Sequence, residues 1–235
     1  MERPDLDILG RTELFRGATI EALADIHAGS YIARFAAGER VLAQGEDAAN
    51  VYVVVVGRLR ASQTTADGRQ VILRYLGPGD IVGYTALTSG DHHPGDVVAV
   101  TDSRLIGWRR PAMREIMTRH PAIAINAIAV LGARYHDMQV RLRELSTEKV
   151  EQRIAHAILR LARQAGRRSP RGIEIAFPLS RQDLAEITGT TLHTVSRTLS
   201  GWEDQGFVDS GRRRVIVRDV AALTSIAEAT GRDSA

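Results

Sequence analysis

The stretch Ser180-Arg-Gln-Asp-Leu-Ala-Glu-Ile-Thr-Gly-Thr-Thr-Leu-His-Thr-Val-Ser-Arg-Thr-Leu-Ser-Gly-Trp-Glu-Asp-Gln-Gly206 decides how this chain is read. Ser180 followed three residues on by Asp183 is a capping-box-like helix start, because hydroxyl and carboxylate can each satisfy a free backbone N–H. Leu184, Ala185 and Ile187 supply the apolar face of a short helix, and Gly189 the left-handed residue that ends it. A second helix is predicted from about Thr191, with Leu192, Val195, Leu199 and Trp202 inward. Thr191, His193, Thr194, Ser196, Arg197 and Ser200 form its polar face. Two short helices joined by a tight glycine turn match a helix-turn-helix, whose second helix fits the major groove of DNA. The competing reading is an ordinary αα-hairpin in a core.

The flanks favour the first reading. Phe207-Val208, a Gly211-Arg212-Arg213-Arg214 turn and Val215-Ile216-Val217 predict a hairpin, a basic wing placed to touch phosphate. Of the 235 residues, 31 are Lys or Arg and 28 Asp or Glu, net +3. Residues 1–147 carry 17 of each sign, whereas residues 148–235 carry 14 basic and 11 acidic side chains, so the excess sits wholly in the last third. There it is clumped at Arg167-Arg168, Arg171 and Arg212-Arg213-Arg214, as expected for a polyanion partner. Lys149 is the single lysine, so no one arginine carries that argument alone.

Upstream the period changes twice. Residues 5–30 read as short helices, with Thr19 an N-cap. From Tyr31, short Val- and Ile-rich runs alternate with turn signals such as Gln44-Gly45, Asp67-Gly68 and Gly77-Pro78-Gly79-Asp80, which indicates a β-sandwich or barrel. Val51 to Val56 is apolar throughout and is expected to be buried on both faces. After Pro111 helices return, with a second start at Pro121. Ala124, Ile128, Leu131, Tyr135, Met138, Leu142 and Leu145 step 4-3-4-3-4-3, an a/d seam that predicts pairing with a second copy. Another helix is expected over 148–164, then a loop over Ala165–Gly172 and a short strand over Ile173–Phe177.

The expected fold is α+β: a β-roll over 1–120, a dimerisation helix over 121–146 and a winged helix-turn-helix over 147–235. The β-roll with Gly77-Pro78-Gly79-Asp80, the long helix and the segments Leu179-Ser-Arg-Gln-Asp-Leu-Ala185 and Thr194-Val-Ser-Arg197 together resemble the CRP/FNR family of bacterial transcription regulators, over about residues 10–225. The resemblance implies a homodimer on a palindromic operator in double-stranded DNA, with half-sites about 10–10.5 bp apart. It implies that Arg197 reads a guanine through O6 and N7, that Ser196 and Thr194 lie at the groove, and that Ser180, Arg181, Thr190 and Thr191 bind phosphates, with Arg212 and Arg213 in the wing. The family's recognition helix typically carries Glu where this chain has His193, so the neighbouring base preference differs. RNA polymerase is a further implied partner, which the 165–172 segment could face.

The resemblance also frames the input. Cyclic-nucleotide-binding relatives carry Gly-Glu and then Arg-Ser-Ala-Thr at the segment aligned with Gly83, Tyr84, Thr85, His92, His93, Pro94 and Gly95. The ribose-binding Glu becomes Tyr84, the phosphate-binding Arg becomes His93, and Asp96 adds a negative charge. A phosphodiester needs a fixed cation or several N–H donors, so the reading disfavours cyclic AMP. Ser146 and Thr147 fall where such relatives place hydroxyls at the adenine, although Thr147 also suits the N-cap of the next helix. Zero cysteine excludes an iron–sulfur cluster as well as disulfides and thiolate zinc. Haem stays open through His92, His93, His27, His120, His136 or His156, no metal site is singled out, and a regulator without a ligand is equally open. No acid, base and nucleophile set has catalytic spacing. The charged start Met1-Glu2-Arg3-Pro4-Asp5 has no apolar core of a signal peptide, and no stretch is long enough to span a bilayer, so no membrane and a cytoplasmic address are expected. The alternative function is a small-molecule-binding β-roll that acts on a protein partner.

Overall fold

The computed structural model describes residues 3–88 and 90–229; Met1, Glu2, Ser89 and residues 230–235, the end of the expected last domain, lie outside them. The chain forms two compact units that divide between Met138 and Gln139, inside one long helix, so the expected middle segment 121–146 is shared between them.

The first unit opens with α1 (Arg3–Arg11), a 3-10 turn (Glu13–Phe15) and α2 (Ile20–Ala28). The Thr19 hydroxyl accepts from the Ala22 N–H, the N-cap its sequence position predicts. Eight strands follow: β1 (Tyr31–Phe35), β2 (Arg40–Leu42), β3 (Asn50–Val56), β4 (Leu59–Thr64), β5 (Gln70–Leu76), β6 (Ile81–Val82), β7 (Asp96–Ala99) and β8 (Ser103–Arg109). They make two antiparallel sheets, ordered β1-β8-β3-β6 and β2-β7-β4-β5. Side chains alternate faces along a strand, and β3 uses both. Tyr52 and Val54 point between the sheets, onto Leu59, Leu76, Val97 and Leu105. Val51, Val53 and Val55 point the other way, onto a layer of helices that supplies Leu9, Phe15, Ile26, Met113 and Ile116. The expected two-sided burial therefore holds through Val55. Val56 is the exception: the register with β8 shifts between Val54 and Val56, and Val56 is exposed.

Two helices complete this unit, α3 (Arg110–Arg119), with Pro111 in its first turn, and the start of α4 (Pro121–Thr147). Ile123, Ala127 and Val130 of α4 join the core that faces β3. Asn126 donates its side-chain amide to the carbonyls of Leu14 (3.1 Å) and Arg16 (2.9 Å). The turn Gly77-Pro78-Gly79-Asp80 is closed by the Asp80 carboxylate on the Gly77 N–H at 2.8 Å. The same carboxylate meets Arg74 at 2.8 Å and Arg134 of α4 at 3.8 Å.

The second unit holds α5 (Val150–Ala165), β9 (Gly166–Ser169), β10 (Gly172–Ile175), α6 (Arg181–Thr188), α7 (Leu192–Asp204), β11 (Val208–Gly211), β12 (Arg214–Val217) and α8 (Val220–Ala227). Its sheet runs β11-β12-β10-β9. The loop expected over Ala165–Gly172 is instead half of a hairpin, with Arg168 opposite Ile173 and Arg167 opposite Glu174. Arginine-rich composition hides the strand, because the pairing comes from the partner strand and not from local propensity. Thr147 is not the N-cap of α5. It ends α4, its hydroxyl donates to the Arg143 carbonyl, and Gln152 accepts the N–H of Lys149 at the cap position.

Trp108 is fully buried, donates its indole N–H to the Ile26 carbonyl at 2.7 Å and stacks obliquely on Phe15 at 5.4 Å. Trp108→Ala should cost about 3–5 kcal/mol, read as a lower midpoint in urea unfolding. Trp108→Phe should cost less, since it keeps most of the apolar contact and loses the hydrogen bond.

Candidate nucleic-acid interface and sensor loop

The entry to α6 is fixed twice over. The Ser180 hydroxyl accepts the Asp183 N–H at 3.0 Å, and the Asp183 carboxylate accepts the Ser180 N–H at 2.8 Å. The exit is fixed by Gly189, at φ +63°, where a β-carbon would be strained. Arg153 of α5 then donates to the Thr188 carbonyl at 3.0 Å and holds the end of α6. Thr191 caps α7 by accepting from the Thr194 N–H at 3.1 Å. Four local devices thus set the angle at which α7 leaves the domain.

On α7, Val195, Thr198, Leu199 and Trp202 face the core. Leu192 does not take the inward place expected of it: it is 47% exposed, and Thr198 occupies that face instead. Leu192 is the first helical residue, and Cβ atoms tilt toward the helix N-terminus, here away from the packed domain. His193, Arg197 and Ser200 are exposed on the outward face, with Thr194, Ser196 and Thr190 half-buried beside them.

The wing is the β11–β12 hairpin, with Arg212 and Arg213 exposed at its tip. Arg213 has φ +58°, a left-handed backbone in a residue that is not glycine. The Arg213 carbonyl accepts the Leu179 N–H at 3.1 Å, which ties the wing to the segment that enters α6. Arg181, expected to bind phosphate, is occupied within the domain: its guanidinium donates to the Ser210 hydroxyl at 2.9 Å and lies 3.4 Å from Glu203. Glu203 also accepts the Ser210 N–H at 2.7 Å. Arg181 and Glu203 therefore clamp the wing onto α7, a role that partners 22 and 29 residues along the chain from Arg181 conceal from sequence. The Ser180 hydroxyl is likewise spent on its cap. A groove of about 390 Å³ lies between wing and helix entry, lined by Ser180, Arg181, Ser210, Gly211, Arg212 and Arg213. Among the described residues, no carboxylate lies within ion-pair distance of Arg197, Arg212 or Arg213, whereas Arg171 and Arg214 both face Asp209.

In the first unit the residues expected to line the effector pocket fall on two segments, Gly83–Thr85 and His92–His93. Tyr84 begins a 3-10 turn (Tyr84–Leu87) after the left-handed Gly83 and packs on the helix-side core. Thr85 accepts, through its carbonyl, the N–H of Thr88. His92 is exposed, with Nδ1 3.3 Å from Asp47. His93 is buried, its N–H donating to the Glu46 carbonyl at 2.8 Å. Burial pushes the His93 ring below its ordinary value of 6.5, with Glu46 opposing, so the ring is neutral at pH 7 and no fixed cation stands at that position. Gly95 lies so close to Ser62 that a β-carbon would come within 2.4 Å of its carbonyl. Asp96 is turned to the Gln44 N–H at 3.1 Å and to Arg40 at 3.8 Å. Ser146 and Thr147 lie in the other unit and donate their hydroxyls to the carbonyls of Leu142 and Arg143, one turn back. Of the histidines considered for haem, His120 and His156 also face carboxylates, Asp25 at 2.9 Å and Glu148 at 3.5 Å. Among the described residues no cluster of His, Asp and Glu is arranged to hold a metal, and no single helix is long and apolar enough to cross a membrane.

His93 sets a pH signature. Its lowered pKa means that protons favour the unfolded chain, so the stability it contributes is present above pH 6.5 and is lost as the pH falls below that value. Thermal unfolding at pH 7.5 and 5.5 should show a drop that His93→Gln makes smaller.

Comparison with known proteins agrees with both units. A cyclic nucleotide-binding domain family matches residues 32–120, and a Crp-like helix-turn-helix domain family matches residues 152–226. The chain is 32% identical to the "Cyclic AMP receptor protein" of Thermus thermophilus, over 81% of this chain and 85% of that one. It is 33% identical to the "Nitrogen fixation regulation protein FixK" of Azorhizobium caulinodans, over 80% of this chain and 76% of that one. The structure of FixK2 from Bradyrhizobium japonicum superposes with a TM-score of 0.75 at 26% identity, covering 86% of this chain and 99% of that one. With a cyclic-nucleotide-binding-like sandwich, a long helix and a winged helix-turn-helix in that order, the chain belongs to the CRP/FNR family of DNA-binding transcription regulators.

Proposed function

We propose that the protein acts in the cytoplasm as a homodimer on an imperfect palindrome. Two α7 helices would enter successive major grooves, about 10–10.5 bp apart. The observation that carries this reading is the outward face of α7, where Arg197 stands exposed with no described carboxylate near it. Its guanidinium suits bidentate donation to guanine O6 and N7, while Arg212 and Arg213 at the wing tip suit phosphate. Dimerisation rests on α4. Ile128, Tyr135, Met138, Leu142 and Leu145 are between 51% and 70% exposed on this one helix, and half-buried Leu131 completes the seam. A surface helix does not leave such a stripe in water without a partner. A second copy of α4 covers it in a/d register.

The β-sandwich is the proposed input domain. Neutral, buried His93, which leaves no fixed cation at the position where a phosphodiester would need one, supports a signal other than cyclic AMP held in the usual way. The β9–β10 hairpin, with Arg167 and Arg168 exposed, is the surface we assign to RNA polymerase.

Arg197→Ala should remove about 1–3 kcal/mol of base discrimination while the dimer persists, measured by competition gel shift against scrambled duplex. Retained preference in that variant overturns the assignment. The wild-type affinity should fall steeply with salt through counterion release. Leu142→Glu, at an exposed seam position, should give a folded monomer by light scattering and lose binding to the full palindrome. A dimer of unchanged affinity would place the interface elsewhere.

A further inference from the structure

Leu145 has two environments. It is a seam position near the end of α4, 51% exposed. One of its δ-methyl groups also lies over the turn between α6 and α7, 3.3 Å from where a β-carbon on Gly189 would stand. That turn sets how α7 leaves the domain: Gly189 is left-handed at φ +63°, and the Thr190 N–H closes onto the Ala185 carbonyl at 3.1 Å. The end of α4 and this turn are also fastened to each other. Arg153 donates to the Glu148 carbonyl at 2.9 Å, just past α4, and to the Thr188 carbonyl at 3.0 Å, at the end of α6. Buried Glu144 pairs with Arg160 of α5, and Glu148 lies 3.5 Å from His156. The last turn of α4 is therefore anchored to the helix-turn-helix, and its seam leucine rests on the bend that aims α7.

Resting on the homodimer reading above, we propose that Leu145 is a positioning residue for DNA recognition, a strut between a second copy of α4 and the turn before α7. A seam leucine in a coiled coil is a knob enclosed by four residues of the facing helix. Enclosed in this way, its side chain keeps one rotamer. The methyl group on Gly189 is then backed by the second copy, and each recognition helix takes its angle from the dimer axis. In an unpaired chain the same side chain stands half in water and is free to change rotamer, so the strut has no backing. Glycine suits the contact, because a β-carbon at position 189 would crowd the methyl group as well as strain the backbone. Leu142, one turn earlier in the same seam, is 66% exposed and serves as the control.

The test uses the intact chain and the palindrome that it enriches from randomised duplex DNA. Leu142→Ala and Leu145→Ala each remove one seam leucine, and both should weaken the dimer, read by light scattering against protein concentration. At concentrations where every variant is dimeric, gel shifts compare the palindrome with versions carrying one base pair more or fewer between half-sites. Wild type and Leu142→Ala should keep their preference for the selected spacing. Leu145→Ala should lose about tenfold of it, and Leu145→Met, long enough to reach Gly189, should restore it. If either alanine variant does not dimerise, Leu142→Val and Leu145→Val decide in their place, since valine keeps the seam apolar but is shorter by a methylene. A spacing preference in the position 145 variant equal to that of the position 142 variant overturns this inference and leaves the homodimer standing. A wild-type chain that stays monomeric or enriches no palindrome overturns the homodimer reading and this inference together.

Discussion

Strand β3 is buried on both sides, and that double burial organises the first unit. With Tyr52 and Val54 filling the sandwich, Val51, Val53 and Val55 need a second apolar layer on the opposite face. The helices supply it, and α4 is recruited through Ile123, Ala127 and Val130. Helical periodicity then dictates what is left over. Once those three positions turn toward β3, Ile128, Tyr135 and Met138 must turn away. The exposed apolar stripe on α4 is the geometrical remainder of the core that holds the sandwich.

The same division between committed and uncommitted groups runs through the second unit. Its arginines are numerous, but they do different things. Arg153 secures the end of α6, Arg160 pairs with buried Glu144, Arg181 clamps the wing, and Arg171 and Arg214 share Asp209. Such pairs fix the frame. Arg197, Arg212 and Arg213 project from that frame, and their charge stays available to an incoming polyanion. The net charge of +3 understates this, because it counts neutralised and available guanidiniums alike.

Much of this was legible in the sequence wherever the controlling interaction is local. The Ser180–Asp183 box, the Gly189 exit, the Thr19 cap and the alternation in β3 all depend on residues within a few positions of each other. The family resemblance added the order of the units. Features that rest on distant partners stayed hidden. Arg181 reads as a phosphate ligand until Glu203 and Ser210 are brought beside it. Gly166–Ser169 reads as a loop until β10 pairs with it. Leu192 reads as core by its spacing, but the first turn of α7 projects past the packed domain. The sensor residues were hardest. Tyr84, His93 and the Ser146-Thr147 pair align with a ligand cassette, yet each is drawn into its own local packing or helix carbonyls.

The backbone of Arg213 has one more consequence. A left-handed conformation costs a residue with a β-carbon about 1–2 kcal/mol, a cost that glycine escapes. The hairpin therefore holds a guanidinium at the bend where a bare backbone would relax the chain most. Foldedness and reach are in tension at this one residue, and the protein resolves it in favour of reach.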